Sequence, residues 1–319
     1  PPPPPPPPLF FFTQTTAYEI SACLVGLGDV YKRQLTACLM AAGHRVVAVV
    51  RSESARESLM GLDPRGPSDL FQVQIANYDD AAQLADVADD CDRVIHLVGI
   101  LKASSRASYT DAHERSCQRL LQALVRTEVR HVTYLSILGS TPTSGNPCLA
   151  SKGRAEKILA DGQIPCCTLR VPMVVGEGDY ASAMLQKRAH NPRNFAFRAS
   201  SLEQPIYSGD VVSAICAAAS QKLEGGFDLA GPESLTRAAL YERAATVVGR
   251  ETKVISLPVG LGLALAFVVE KTVTDPPITR AMLEVLDHDD DVDTTAIAER
   301  LEITPLTTVD EMLRLILLG

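Results

Sequence analysis

Gly43-His44-Arg45-Val46-Val47-Ala48-Val49-Val50-Arg51 is the stretch on which the reading of the fold turns. Five apolar residues in a row, four of them valine, stand between two arginines. A β-branched run of that length without alternation suits one strand buried on both faces. A glycine placed directly before it is what ends a helix, and residues 35–42 supply a helix for it to end. The unit is helix, tight junction, buried strand.

Working outward, the same unit recurs. Residues 71–75 read as a strand, 81–88 as a helix, 93–99 as an apolar strand, 113–127 as a long helix, 131–136 as a strand, 149–160 as a helix and 166–171 as a strand. Strands that alternate strictly with helices and are apolar on both faces form a parallel sheet covered by helices. The expected fold class is α/β: a doubly wound Rossmann-type parallel sheet over residues 35–175, with a smaller C-terminal α/β region over residues 176–319. In such folds ligands bind at the carboxyl edge of the sheet, and the shorter pieces after Gly176 are expected to cap that edge. Residues 259–269 carry no charge but are only eleven, against the ~20 that a spanning helix needs, so a buried or partner-facing helix is expected there.

The first 34 residues read differently. Pro1 to Pro8 form an unbroken proline run, followed by Leu9-Phe10-Phe11-Phe12, and Asp29-Val30-Tyr31-Lys32-Arg33-Gln34 matches the conceptual translation of a sequencing-library adapter. Residues 1–34 are therefore expected to be a disordered or artefactual segment, with low order up to about Ser21. Read as protein instead, Cys23-Leu24-Val25 would be the first central strand and Gly26-Leu27-Gly28 the glycine turn before the first helix.

Composition removes several classes. The 319 residues have 46% hydrophobic and 21% charged side chains, which excludes a disordered chain. A net charge of −8 lacks the basic footprint of a nucleic-acid binder. Eight scattered cysteines without a C-x-x-C suggest neither a zinc site nor a disulfide scaffold, and a reducing compartment is expected. The acidic run around His288, with Asp289, Asp290, Asp291 and Asp293, lacks the spacing of a calcium loop and reads as a solvated turn.

Several landmarks carry a resemblance. They are His96-Leu97-Val98-Gly99-Ile100, His131-Val132-Thr133-Tyr134-Leu135-Ser136, Ala150-Ser151-Lys152-Gly153-Arg154-Ala155-Glu156, Leu169-Arg170-Val171-Pro172 running on to Gly176-Glu177-Gly178-Asp179, and Leu229-Ala230-Gly231-Pro232-Glu233. From Leu35 onward the chain resembles the atypical and extended short-chain dehydrogenase/reductase superfamily, the NAD-dependent epimerase/dehydratase-like group. Within it, the tail from Ile278-Thr279-Arg280 to Leu301-Glu302-Ile303-Thr304-Pro305 is similar to the complex I NADH-binding accessory subunit family (alpha-subcomplex subunit nine) and its bacterial relatives.

That resemblance implies a site. The superfamily works with a Tyr-x-x-x-Lys pair, the lysine holding ribose hydroxyls and lowering the tyrosine pKa. Lys152 is present, but Cys148 stands at the tyrosine position, and a thiol does not reach a carbonyl placed for a phenol. Ser136 matches the serine that orients the reacting carbonyl. Arg51 closes the second strand, where an arginine suits the 2′-phosphate of NADP and an acidic residue the ribose diol of NAD. Asn77 stands near the adenine position, Val98 and Gly99 follow the next strand, Gly26 and Gly28 would form the phosphate turn, and Pro172 ends the strand after Lys152. His96 reads as a satisfied core histidine and His113 as a surface residue. Tyr134 lies within a strand, so Tyr180 is the expected candidate for a substitute acid.

The implied function is that of an NADP- or NAD-binding protein, weakly or non-catalytic, with a complex I accessory or quinone-related role. It would be cytoplasmic or peripheral at the inner face of the respiratory membrane, with no transmembrane segment and no nucleic-acid partner. The alternatives are an NAD(P)-dependent reductase or nucleotide-sugar epimerase/dehydratase, and a redox-sensing regulatory module.

Overall fold

Val46–Val50 is the strand that the sequence indicates, and all five residues are buried. Its alternate side chains enter two different cores: Val46, Ala48 and Val50 join one cluster and Val47 and Val49 another. Period-2 geometry makes this the signature of a central strand covered on both faces. The computed structural model describes residues 9–12, 29–60, 71–104, 107–272, 279–286 and 288–319.

In chain order the core elements are β1 (Leu9–Phe12), α1 (Asp29–Ala41), β2 (Val46–Val50), α2 (Glu53–Met60), β3 (Phe71–Ile75), α3 (Ala81–Ala88), β4 (Arg93–His96), α4 (Ser116–Leu124) entered through a π-helical turn (Thr110–Arg115), β5 (His131–Ile137), α5 (Pro147–Ala160) and β6 (Cys166–Val171). There follow β7 (Val174–Val175), α6 (Tyr180–His190), β8 (Arg193–Phe197), β9 (Leu202–Glu203), β10 (Ile206–Tyr207), α7 (Ser208–Gln221), β11 (Gly225–Asp228), β12 (Leu235–Thr236), α8 (Arg237–Val247), β13 (Lys253–Leu257), α9 (Val259–Thr272), α10 (Arg280–Leu286), α11 (Thr295–Arg300) and α12 (Val309–Leu318).

The main sheet is parallel and ordered β11-β6-β5-β4-β1-β2-β3, the doubly wound arrangement in which the chain reverses direction at β1. One face is packed by α1, α2 and α7 through Leu35, Leu39, Leu59, Val211 and Ile215. The other is packed by α3, α4 and α5 through Leu84, Leu120, Leu124 and Leu159.

The N-terminal expectation is corrected in two places. The first central strand is Leu9–Phe12, not Cys23–Val25: Leu9 sits opposite Val46 on one side and Arg93 on the other. An empty slot between β2 and β4 would leave both inner edges unpaired, and the four apolar residues after the prolines fill it with ladder hydrogen bonds. The first helix starts at Asp29, so the adapter-like hexapeptide is helical. Residues 1–8 and 13–28, with Cys23–Val25, Gly26 and Gly28, lie outside the described residues.

Beyond Gly176 the chain partly returns to the core. β11 extends the main sheet at β6 and α7 covers it, while three two-stranded ladders (β7 with β10, β9 with β12, β8 with β13) build the smaller part. The latter has its own core, from Val175, Leu185, Leu240, Met312 and Leu313. Gly231 is required here, because a Cβ would collide with the Pro205 carbonyl. Asp289 ties the acidic turn down, accepting from Leu202 N–H at 2.9 Å and from Ser201 Oγ at 3.1 Å. The apolar helix α9 buries Gly262 and Ala266 but leaves Leu261, Leu265, Phe267 and Val268 about half exposed, so it is not a core helix.

Candidate functional site

α5 is fixed first by its start. Asn146 caps it, accepting from the N–H groups of Cys148 at 2.9 Å and Leu149 at 3.2 Å, and Pro147 takes the first helical position, where no backbone donor is needed. Gly153 then lets the helix pass the 141–142 backbone, which a Cβ would overlap. One turn apart on the inner face of this helix are Lys152 and Glu156, and both reach β5.

Lys152 is 4% exposed. Its Nζ donates to Tyr134 Oη at 2.9 Å and to the Leu135 carbonyl at 3.0 Å. Burial lowers its pKa to about 8, because neither direct partner is an anion. Gly99, just after β4, closes the pocket from the other side: a Cβ there would stand 2.9 Å from Nζ. His96 stacks on Tyr134 with ring centroids 5.5 Å apart, and its Nε2 lies 3.4 Å from Ser116 Oγ. Burial, helped by the Lys152 charge, pushes the His96 pKa down to about 3.

Cys148 is fully buried. Its thiol points at the Ile100 carbonyl, 3.6 Å away, and desolvation raises its pKa to about 12, so it is neither an exposed acid nor a thiolate. Ser136 is not among the hydrogen-bond partners of Lys152's amine. Its hydroxyl donates to Glu156 at 2.5 Å, and Glu156 is also held by Arg170 at 2.7 Å. A buried carboxylate needs such donors, and Ser136 and Arg170 are the groups within reach. This line leads to a separate cleft of about 570 Å³ outside α5, lined in part by Glu156, Lys157 and Arg170. His113 is a correction: it is fully buried rather than on the surface, its Nε2 3.0 Å from the Ile100 backbone nitrogen, and its pKa lies well below the usual value through burial.

At the other end of the same sheet edge, Arg51 follows β2 as an exposed guanidinium, 5.5 Å over the ring of Tyr78. Tyr78 is anchored by its hydroxyl to the Val49 carbonyl at 2.9 Å. Asn77 is exposed beside it, with its amide oxygen engaged by Asp79 N–H at 3.1 Å. Val98 is a core residue, so only its backbone faces the edge, and Pro172 is buried after β6. Gly99 and Lys152 are thus brought together, Arg51 and Asn77 form a second group on neighbouring strands, and Ser136 is engaged by Glu156.

Two groups on this edge could hold a dinucleotide. Gly99 has no Cβ because the Lys152 amine stands where one would be, so its bare backbone can be approached closely, and two of the three ammonium protons are accounted for by Tyr134 and Leu135. Arg51 offers a cation to a phosphate at the opposite end.

The model of a family described as NAD(P)H-binding matches residues 33–194, half of the chain. The chain belongs to the NAD(P)H-binding family. Its members' cofactor is therefore this protein's: NADP(H) or NAD(H). Among solved structures the fold is similar to an NADPH-dependent quinone oxidoreductase from Escherichia coli in complex with NADPH (16% identity, TM-score 0.69, 96% of this chain and 98% of that one). It is also similar to UDP-glucuronic acid 4-epimerase from Bacillus cereus in complex with NAD (15%, 0.68, 97% and 95%). A third likeness is to a triphenylmethane reductase from Citrobacter sp. (15%, 0.69, 98% and 100%). No curated protein matches the sequence.

Within this NAD(P)H-binding chain, three residues of the site were missed in the sequence. Glu156 could have been found as the helical i+4 neighbour of Lys152. Tyr134 shares a face of β5 with Ser136 by period-2 alternation, so its phenol was as well placed to meet α5. His113 gave no signal, because it lies in an irregular turn whose packing has no period.

Proposed function

We propose that this protein holds NAD(P)(H) as a structural or regulatory ligand and turns over carbonyl substrates slowly or not at all. The observation that carries this reading is the pair Cys148 and Lys152. The thiol at the superfamily's tyrosine position is buried against a backbone carbonyl, and the lysine's phenol partner is Tyr134, fully buried in β5, rather than a residue on its own helix. Burial holds the Tyr134 pKa well above 10. A phenol with no exposed surface and a strongly held proton is a poor general acid for a substrate outside the core. A bound reduced cofactor supplies hydride; the groups lining this edge supply binding without a matched acid.

The accessory or assembly role at respiratory complex I rests on the motif likeness of residues 96–100, 150–156 and 278–305. It is supported by the half-exposed apolar side of α9, a surface of the kind that a partner covers. A second reading, an NADPH-dependent quinone reductase, is favoured by the missing phenol itself. A quinone that gains hydride becomes a stabilised phenolate, which needs no acid at its oxygen.

The experiment is a titration with NADPH and NADH followed by steady-state assay on aldehydes, ketones and quinones. Saturable binding of one nucleotide per chain without turnover is expected. Oxidation of NADPH by quinones alone would move the protein to the second reading, and efficient reduction of simple carbonyls would overturn the first.

A further inference from the structure

Seven cysteines lie among the described residues, none in a disulfide. In five of them, Cys91, Cys117, Cys148, Cys166 and Cys167, burial raises the thiol pKa to about 12. Such thiols are inert toward oxidants. The remaining two face each other. Cys38 on α1 and Cys216 on α7 are 178 positions apart in sequence, and the fold sets their sulfurs 3.0 Å apart, with Cys216 donating to Cys38. That is about an ångström beyond the ~2.05 Å of a disulfide bond. Both residues are half-buried, open to small reagents yet backed by the apolar cluster that joins the helices through Leu35, Leu39, Val212 and Ile215. The hydrogen bond from Cys216 lowers the Cys38 pKa to about 7, giving a substantial thiolate fraction near neutrality.

We propose that Cys38 and Cys216 form a reversible redox-modification site, oxidised by hydrogen peroxide to a disulfide that fastens α1 to α7. The Cys38 thiolate attacks one peroxide oxygen and breaks the O–O bond. The departing hydroxide takes a proton and leaves as water, and Cys38 becomes a sulfenic acid. Cys216 then attacks the Cys38 sulfur, its proton passing to the displaced hydroxide, which leaves as the second water. Two thiols have lost two electrons and one peroxide has gained them. Exchange with a dithiol reductant returns both thiols.

The test uses the full chain treated with one equivalent of hydrogen peroxide, alkylated, digested and mapped by mass spectrometry. The expected result is a cross-linked peptide joining Cys38 to Cys216, a mass lower by about 2 Da, recovery with dithiothreitol, and a melting temperature raised by roughly 5 °C. Cys216→Ser should leave Cys38 as a sulfenic acid that dimedone traps, whereas Cys38→Ser should leave Cys216 unoxidised. The inference is overturned if Cys38 oxidises in the native protein without forming the cross-link, if Cys216 reacts in the absence of Cys38, or if Cys166 and Cys167 are consumed first.

Discussion

The carboxyl edge of the sheet has two ends built on opposite plans. After β2 and β3, Arg51 and Asn77 stand exposed, and a cation is laid over an aromatic ring where a ligand can reach it. After β4 and β5, Lys152, His113, Tyr134 and Cys148 are all buried and bonded to one another or to nearby backbone. The first end is open to solvent. The second has the packing of a core: its lysine and thiol are bonded before any substrate arrives, and His113 keeps a buried Nδ1 with no partner among the described residues. On the proposed function, binding of a dinucleotide and chemistry on it are separable in this fold, the first resting on the exposed end and the second on the buried one.

The largest expected effect probes how closed the second end is. His96 has a folded pKa of about 3, below its unfolded value of about 6.5, so the unfolded chain binds more protons throughout that window. Stability then falls as pH drops from 6.5 toward 3, by on the order of 4 kcal/mol from this residue. Urea midpoints against pH should show that slope in the native protein and a shallower one in His96→Phe. Identical slopes would mean that water reaches the pocket.

Next is the helix that brings Lys152 in. Gly153→Ala forces α5 away from the 141–142 backbone and should cost about 3 kcal/mol in chemical denaturation. A loss below ~0.5 kcal/mol would show that the loop yields and that the close approach is not required.

At the open end, Arg51→Asp should weaken NADP binding by roughly 30-fold, about 2 kcal/mol for a lost charge-assisted contact, while NAD binding changes little. Calorimetric titration with both nucleotides checks this, and equal effects would reduce Arg51 to a surface residue. The smallest effect is that of Tyr78→Phe. It removes the bond to Val49 for about 1 kcal/mol of stability but keeps the ring under Arg51, so the nucleotide preference should not move. A shifted preference would show that the hydroxyl, not the ring, sets the position of Arg51.

The difference between the two ends also explains what could be read from the chain alone. The sheet was legible because β2, β4, β5 and β6 are largely apolar runs set between helices, while β3 alternates apolar with polar residues, patterns that backbone geometry imposes locally. The positions of Arg51 and Asn77 were legible for the same reason, since a residue that follows a parallel strand lies at the carboxyl edge of the sheet. The closed end was not. That Ser136 bonds Glu156, that Tyr134 takes the lysine, and that His113 is buried all depend on which side chains meet across α5, β5 and the turn before α4, and no spacing rule encodes those meetings. β1 was missed because four residues after a proline run carry too little pattern to compete with Cys23–Val25. Only the unfilled slot between β2 and β4 identifies them.

The central claim is that the chain binds nucleotide without a matched general acid. It is tested most directly by comparing the native protein with Cys148→Tyr at saturating NADPH, on one panel of carbonyl substrates, after both are shown to bind nucleotide equally. The account predicts no measurable turnover by the native chain and a gain of ~10²-fold or more over that background in the variant, the scale on which a general acid contributes. Native turnover as fast as that of the variant, abolished by Tyr134→Phe or Tyr180→Phe, would contradict it.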